Sequence, residues 1–181
     1  MSPICLLHNS KSCTRTRSIE NAHRDNHIRI MYGYDWNTQS DNYNLICTEV
    51  RDLLGKLEKA YSLNFSFEPL HGKDGNIYCD ICHQIQSANV VLFDVSTHNP
   101  NVILELGIAI GTGKYVFILR SKHYKLPPSS LSDLRGILEY RFSRKSGSLK
   151  FQANFRRSLT LKLIHIAKEY PGRSVSVLNK R

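Results

Sequence analysis

The sequence lacks several features that would assign it to a class of protein at once. It has no apolar run close to the roughly 20 residues of a membrane-spanning helix. Near the amino terminus the only apolar patch covers residues 4–7, which is too short for the core of a secretory signal. These absences predict a cytoplasmic protein without a membrane anchor.

The cysteines do not follow the patterns that mark a disulfide framework or a metal site. The five cysteines are scattered and odd in number, which favours reduced thiols. Cys79 and Cys82, followed by His83, match the haem-attachment pattern, but that chemistry requires export and the sequence has no export signal. A zinc site would need a second ligand pair at similar spacing. We therefore expect no metal and no bound cofactor.

Positive charge, by contrast, is abundant and unevenly distributed. The net charge is +10, yet residues 30–119 are acidic overall and the excess of lysine and arginine falls after residue 120. A basic carboxyl-terminal third can indicate nucleic acid on one face. It is equally typical of binding to phosphate groups of a ligand, to an acidic partner, or to a second copy arranged head to tail.

Residues 89–119 contain the clearest structural signal in the chain. Residues 90–95 are apolar apart from Asp94 and mostly β-branched or aromatic, which predicts a strand covered on both faces. Asn99 followed by Pro100 predicts the start of a helix, since asparagine caps helices well and proline is tolerated in the first position. That helix is apolar on every side from residue 102 to 110, so we expect it to be buried. Glycines at 111 and 113 end it before a strand at residues 115–119.

The remaining elements extend this unit to a full α/β domain. Strands are predicted at 28–34 and 64–70, and helices at 45–61 and 77–85, with a polar loop at 35–44. A terminal amphipathic helix is predicted from the spacing of Phe151, Phe155, Leu159, Leu163, Ile166 and Tyr170. The predicted fold is a three-layer flavodoxin/Rossmann-like sandwich with a central, mostly parallel sheet and helices on both faces. Residues 28–170 would form this single domain, between a polar basic extension at 1–27 and a tail at 171–181.

One residue does not fit the apolar helix. Glu105 lies between Leu104 and Leu106, where an unpaired buried carboxylate costs several kcal/mol. Open parallel sheets bind ligands in a crevice beyond the carboxyl ends of their strands, and the turn at residues 96–99 lies on that side. We expect Glu105 and Asp94 to face such a crevice. The alternative is that Glu105 pairs with an arginine or lysine from the basic carboxyl-terminal third.

The residues around Glu105 also resemble a known group of proteins. Asp94, Asn-Pro-Asn-Val at 99–102, Glu-Leu-Gly at 105–107 and Gly-Lys at 113–114 resemble the nucleoside 2-deoxyribosyltransferase-like superfamily. TIR-like NAD-cleaving proteins of prokaryotic defence systems are similar to the same group. The resemblance is close over residues 94–119 and loose over residues 28–85. It implies N-glycosidic bond chemistry, with Glu105 as the essential carboxylate, and it implies that Asp80 helps to bind the substrate.

Further substrate-binding residues are predicted at the same edge of the sheet. Tyr32, Tyr34 and Trp36 could stack on a nicotinamide or a nucleobase, because aromatic faces accept any base. Asp94, Asp80 and Asp35 are candidate proton donors or ribose-binding groups. Asn99 and Asn101 could hydrogen-bond sugar hydroxyls, although helix capping alone explains Asn99.

These residues lead to one functional expectation and three alternatives. We expect an NAD glycohydrolase of TIR-like type, acting in antiviral defence, with NAD as substrate, as a homo-oligomer that responds to an activating partner or a signal nucleotide. The first alternative is a nucleoside 2-deoxyribosyltransferase or nucleotide N-glycosidase. The second is a non-catalytic module that binds a nucleotide signal or a protein, and the third is nucleic-acid binding through the basic third.

Overall fold

Strands and helices alternate along most of the chain in the computed structural model, which describes residues 27–38, 41–72, 77–123, 139–145, 148–151 and 154–169. The elements are β1 (His27–Gly33), a 3-10 turn (Trp36–Thr38), α1 (Asp41–Tyr61), β2 (Asn64–Pro69), α2 (Ile77–Ser87), β3 (Val90–Asp94), α3 (Pro100–Gly111), β4 (Tyr115–Ser121), β5 (Glu139–Lys145), β6 (Ser148–Phe151) and α4 (Phe155–Glu169).

The strands form one six-stranded sheet in the order β2-β1-β3-β4-β5-β6. All neighbouring strands are parallel except β5 and β6, which are antiparallel. This confirms the predicted α/β class, and the arrangement is consistent with a flavodoxin/Rossmann-like sandwich. After β1 the chain adds β2 on one side of it, and then returns to add β3 and the later strands on the other side. The connections that leave β1 and β3 therefore run in opposite directions, and such sheets form a ligand crevice between two strands of this kind.

Two apolar layers cover the two faces of the sheet. Side chains alternate along β1, so Ile28, Ile30 and Tyr32 face the layer that includes α1 and α4. Met31 faces the opposite layer, which includes α2 and α3. The helices therefore lie on both sides of the sheet, and each buried apolar strand residue belongs to one layer or the other.

Helix α3 has the ends that its sequence predicts. The Asn99 side chain accepts a hydrogen bond from the Asn101 backbone N–H at 2.9 Å, and Pro100 occupies the first turn. At the other end, Gly113 adopts a left-handed conformation with φ of 70°, and the Lys114 N–H reaches the Ala109 carbonyl at 2.9 Å. The predicted start and stop of this helix are confirmed.

The expectation that α3 is buried on every side is wrong. Leu104 is 53% exposed and Ile110 is 45% exposed, whereas Val102 and Leu106 are buried. Composition alone misled here, because the outward side of the helix is as apolar as the side that faces the sheet. One surface of α3 therefore stays open to solvent.

Lys114 fastens the end of α2 to the start of β4. Its Nζ atom donates to the carbonyl oxygens of Gln86 at 2.5 Å and Ala88 at 3.0 Å. These carbonyls lie at the carboxyl end of α2, where a cation is favourable. Burial lowers the pKa of Lys114 to about 8. The lysine of the Gly113-Lys114 pair thus has an architectural role.

Other boundaries differ from the sequence prediction in ways that have a local cause. Helix α1 begins at Asp41, so residues 41–44 belong to the helix and not to the predicted loop. Phe151 lies in β6, and α4 begins only at Phe155, because the apolar spacing of the helix happens to continue into the strand. The predicted extension and tail, apart from His27, lie outside the described residues, as does Tyr170.

No helix among the described residues is long and apolar enough to cross a membrane.

Candidate functional site

A cleft of about 370 Å³ opens beside the carboxyl ends of β1 and β2. Its walls come from the segments that follow these two strands and from the facing sides of α2 and α3. The lining residues are Tyr34, Asp35, Trp36, Asn37, His71, Gly72, Ile77, Tyr78, Ile81, Asn99, Asn101, Val102, Leu104, Glu105 and Ile108. Its size is within the range of small-molecule sites, and it lies at the switch point of the sheet.

Glu105 lines this cleft from the second turn of α3. Its Oε2 atom lies directly over β1, so that a Cβ built on Gly33 would come within 3.2 Å of it. Burial raises the pKa of Glu105 to about 7. In the described part of the chain, the carboxylate makes no hydrogen bond or ion pair. Glu105 therefore holds its proton far more readily than an ordinary glutamate.

The alternative of an ion pair between Glu105 and the basic carboxyl-terminal third is not found among the described residues. Arg120 instead pairs with Glu139, with Nη2 and Oε2 2.7 Å apart. Arg156 pairs with Glu49 on α1. Both arginines thus neutralise acids that do not line the cleft.

Asp35 and Asn99 connect the end of β1 with the start of α3. The Asn99 Nδ2 donates to Asp35 Oδ1 at 2.8 Å, and the backbone N–H of Asn37 donates to the same oxygen at 3.0 Å. Asn99 thus caps α3 with its oxygen and holds Asp35 with its nitrogen. Asn101, the remaining predicted sugar-binding amide, lines the cleft and is exposed.

Asp94 does not line the cleft, which corrects the expectation that it faces the crevice beside Glu105. Along β3, Val90 and Leu92 belong to the layer with α1 and α4. Alternation therefore turns Asp94 towards that layer, while Glu105 lies on the opposite face.

The Asp94 carboxylate instead organises the turn after β3. Its Oδ1 accepts hydrogen bonds from the Ser96 N–H at 3.0 Å and from the Ser96 hydroxyl. The Ser96 Oγ in turn accepts from the Ser121 N–H at 2.7 Å, which links the turn to β4. Burial raises the pKa of Asp94 to about 6, opposed by the two bonds from Ser96 and assisted by the charge of Asp35.

The rest of this turn is half-buried and contains one strained residue. His98 has a φ of 53°, an uncommon conformation for a residue other than glycine, and its N–H donates to the Val95 carbonyl at 3.1 Å. Burial lowers the pKa of His98, and the nearby Arg120 charge acts in the same direction. Within the described residues, His98 Nε2 and Thr97 Oγ1 are buried without hydrogen-bond partners. The strained residue directly precedes the Asn99 cap.

The three aromatic residues predicted to bind a base separate into two groups. Tyr34 and Trp36 line the cleft, with ring centroids 5.2 Å apart, and Trp36 is 49% exposed. Tyr32 is 0% exposed and lies in the core, so the prediction that it contacts a ligand is wrong. Its position in the alternation with Ile30 points it away from the cleft. Tyr32 instead stacks against Tyr34 within the core, with ring centroids 5.3 Å apart.

Asp80 is likewise absent from the cleft wall. It lies in the first turn of α2, where a carboxylate is favourable beside the positive end of the helix. Tyr78 and Ile81 of the same helix face the cleft instead. No group of three or more candidate metal ligands occurs among the described residues.

Sequence reasoning missed His71, which also lines the cleft. Its ring Nδ1 lies 3.1 Å from the Pro69 carbonyl oxygen, and its backbone bonds to the side chain of Gln84 on α2. The sequence offered no signal for this residue beyond a turn, because its partners are contributed by tertiary structure.

The chain matches none of the protein-family models against which it was compared, and no curated protein matches it. The chemistry of the cleft must therefore be inferred from its own residues. They combine one unpaired carboxylate, one hydrogen-bonded carboxylate, neutral amides, a histidine and an exposed aromatic face.

Proposed function

We propose that the protein cleaves the N-glycosidic bond between nicotinamide and ribose in NAD, with Glu105 as the catalytic carboxylate. One observation carries the proposal: in the described structure, Glu105 has no partner although it is partly buried in a cleft at the switch point of the sheet. Buried acids that stabilise a fold have hydrogen-bond or charge partners. An acid without them is typical of a reactive group.

The chemistry requires such a carboxylate. Breaking the ribosyl C–N bond develops positive charge on the sugar, and a carboxylate about 3 Å away can stabilise that charge or form a covalent ribosyl intermediate. Nicotinamide carries a positive charge while it is bonded to ribose and leaves as a neutral molecule, so no acid is needed for its departure. The approach of this cation would also favour the charged form of Glu105.

The remaining cleft residues suit the two halves of a nicotinamide riboside. Trp36 presents an exposed ring, supported by Tyr34, on which a pyridinium can stack. Asp35 and Asn101 offer acceptors and donors to ribose hydroxyls. Asp35 is already oriented by Asn99, so its geometry does not depend on the ligand.

A nucleoside 2-deoxyribosyltransferase or nucleotide N-glycosidase is the second candidate, and one observation favours it. None of the described residues that line the cleft is a lysine or arginine that would hold a pyrophosphate. The start of α3 offers little in their place, because Pro100 has no N–H and Asn99 already binds the N–H of Asn101. A neutral nucleoside avoids this requirement.

The test is to incubate the purified protein with NAD and, separately, with deoxynucleosides and free bases. We expect nicotinamide from NAD, and Glu105→Gln should lower its release at least 10³-fold while the far-UV circular dichroism spectrum stays the same. Glu68→Gln, an exposed acid on β2, is the matched control and should keep wild-type activity. Exchanged nucleosides without nicotinamide would favour the second candidate.

The assay should include crowding agents and candidate signal nucleotides, because the resemblance to TIR-like defence proteins implies activation on assembly. A cytoplasmic location would give a homo-oligomer of this kind access to NAD, whose depletion would be its antiviral action. Nucleotide binding without any turnover would contradict both enzymatic candidates and favour a non-catalytic module.

A further inference from the structure

His71 is held more firmly than a surface turn requires. Its backbone N–H donates to Gln84 Oε1 at 3.2 Å, and its carbonyl accepts from Gln84 Nε2 at 2.5 Å. The same side-chain amide of α2 therefore clamps both polar groups of the His71 backbone. The imidazole ring lies beside Trp36, with ring centroids 6.4 Å apart. These contacts fix where the ring stands in the cleft.

The hydrogen bond from the ring also fixes its tautomer. The Pro69 carbonyl oxygen can only accept, so the Nδ1 atom 3.1 Å away must carry the hydrogen. In the neutral ring, Nε2 is then left with a lone pair. Within the described structure this nitrogen has no hydrogen-bond partner. His71 is thus prepared to accept a proton at Nε2.

His71 and Glu105 line the same cleft. Pro69 pairs with Tyr32, and the Leu70 N–H donates to the Tyr32 carbonyl at 2.8 Å, so His71 directly follows the end of the ladder between β1 and β2. Glu105 Oε2 lies over Gly33. The His71 and Glu105 side chains therefore approach the same cleft from two walls, one from the end of β2 and one from α3. The cleft volume of about 370 Å³ leaves room for a sugar and a water between these walls.

We propose that His71 is the general base that activates water in the hydrolysis of the ribosyl intermediate, an inference that rests on the proposed function. The water oxygen bonds to the ribosyl C1′ as the bond between C1′ and the Glu105 oxygen breaks, or as the oxocarbenium ion is captured. The proton leaves the water for His71 Nε2 and then passes to solvent. Glu105 returns to its carboxylate form, and the product is ADP-ribose. The other titratable groups that line the cleft are Tyr34, Asp35, Tyr78 and Glu105 itself.

A competing reaction of the same intermediate separates this role from a structural one. A pyridine base such as 3-acetylpyridine attacks C1′ through its neutral nitrogen and yields a cationic dinucleotide, so no proton has to be removed. Hydrolysis requires proton removal from water, and general base catalysis typically contributes 10²- to 10⁴-fold. Loss of a base therefore changes the ratio of hydrolysis to exchange, whereas a distorted cleft impairs both.

The experiment measures ADP-ribose and exchanged dinucleotide from NAD in the presence of 3-acetylpyridine. In His71→Asn the side-chain amide nitrogen can replace Nδ1 as donor to Pro69, and the Gln84 clamp is kept, but Nε2 is lost. In His71→Gln a polar atom remains near the Nε2 position without its basicity. We expect both variants to lose hydrolysis about 100-fold or more and exchange less than threefold. A solvent deuterium isotope effect should be seen on wild-type hydrolysis and not on exchange.

His165→Asn provides the control, since His165 is an exposed histidine on α4, and both reactions should proceed as in the wild type. Equal losses of hydrolysis and exchange in the His71 variants, or unchanged hydrolysis, would overturn the role of His71 while leaving the NAD-cleaving activity in place. A wild-type protein that yields neither product from NAD would overturn the proposed function and this inference together.

Discussion

Asp94 and Glu105 are two half-buried carboxylates on opposite faces of one sheet, and burial raises the pKa of each, to about 6 and about 7. Asp94 accepts bonds from Ser96 and organises the turn after β3, which Ser96 links to β4. Glu105 has no such bonds among the described residues. The two acids experience similar burial but have opposite hydrogen-bonding surroundings.

This difference shows that a raised pKa does not by itself identify a reactive acid. In Asp94 the hydrogen bonds stabilise the charged form and partly offset the cost of burial, as expected for an acid that holds structure together. Glu105 bears the cost of burial without such compensation. Four substitutions test the distinction.

Gly33→Ala should be the most damaging, because Glu105 is accommodated only where β1 lacks a side chain. A Cβ at Gly33 would lie 2.5 Å from the ring of Phe93, which is fully buried, and 3.2 Å from Glu105 Oε2. We expect a loss of roughly 3 kcal/mol in the free energy of unfolding, measured by urea denaturation. Gly55→Ala in α1, whose added Cβ meets nothing within 4 Å, is the control and should be neutral or stabilising. Equal stability of the two variants would contradict the close packing described here.

Asp94→Ala should remove the structural acid. The Ser96 N–H and hydroxyl would lose their acceptor in a buried turn, so we expect a loss of about 2 kcal/mol in the free energy of unfolding at pH 7. Asp94→Asn keeps an acceptor oxygen and should lose less, and in this variant nicotinamide release should continue. If Asp94→Asn were folded but inactive, Asp94 would belong to the reactive group and the comparison with Glu105 would fail.

Glu105→Gln should stabilise the protein, but only above a certain pH. Below pH 4.5 the carboxyl is protonated in both the folded and unfolded chains, so glutamine brings no gain. As the pH rises to about 7 the unfolded chain releases its proton while the folded chain retains it, and the stability of the wild type falls. We expect the variant to be more stable by on the order of 1–2 kcal/mol at pH 8. Urea unfolding at pH 4, 6 and 8 measures this, and a gain that is the same at all three would exclude a buried, unpaired carboxylate.

Tyr32→Phe should have the smallest effect, on the same side of the sheet as Asp94. The Tyr32 hydroxyl is buried and has no hydrogen-bond partner among the described residues. Burial, followed by the charge of Asp94, raises the pKa of this hydroxyl. Removing an unsatisfied hydroxyl should leave stability unchanged or raise it by about 0.5 kcal/mol, measured by thermal unfolding. A clear loss would indicate that the hydroxyl supports the Asp94 turn.

Much of the fold could be predicted because local rules agree with tertiary structure. The caps of α3, the central strand and the burial of Phe155 and Leu159 all follow from residue spacing and turn chemistry. The hairpin of β5 and β6 could not be found, because β6 is only four residues long and its Phe151 continues the helical spacing of α4.

The site was less predictable, for reasons that differ from one residue to another. Glu105 stands out because a charge interrupts an apolar helix, and the structure places it in the cleft. Tyr32 could have been placed in the core from its alternation with Ile28 and Ile30. The face of Asp94 was hidden, because β3 is apolar on both sides and alternation leaves no trace in its composition. His71 depends on Gln84, thirteen residues away, and no local rule links them.

The contacts of Asn99 join two distant parts of the chain. Its side chain caps α3 and holds Asp35, which is 64 residues earlier. The geometry of the cleft therefore forms only once the β1 segment lies beside the helix that carries Glu105. The proposed activity would accordingly appear only after β1 and α3 have packed together.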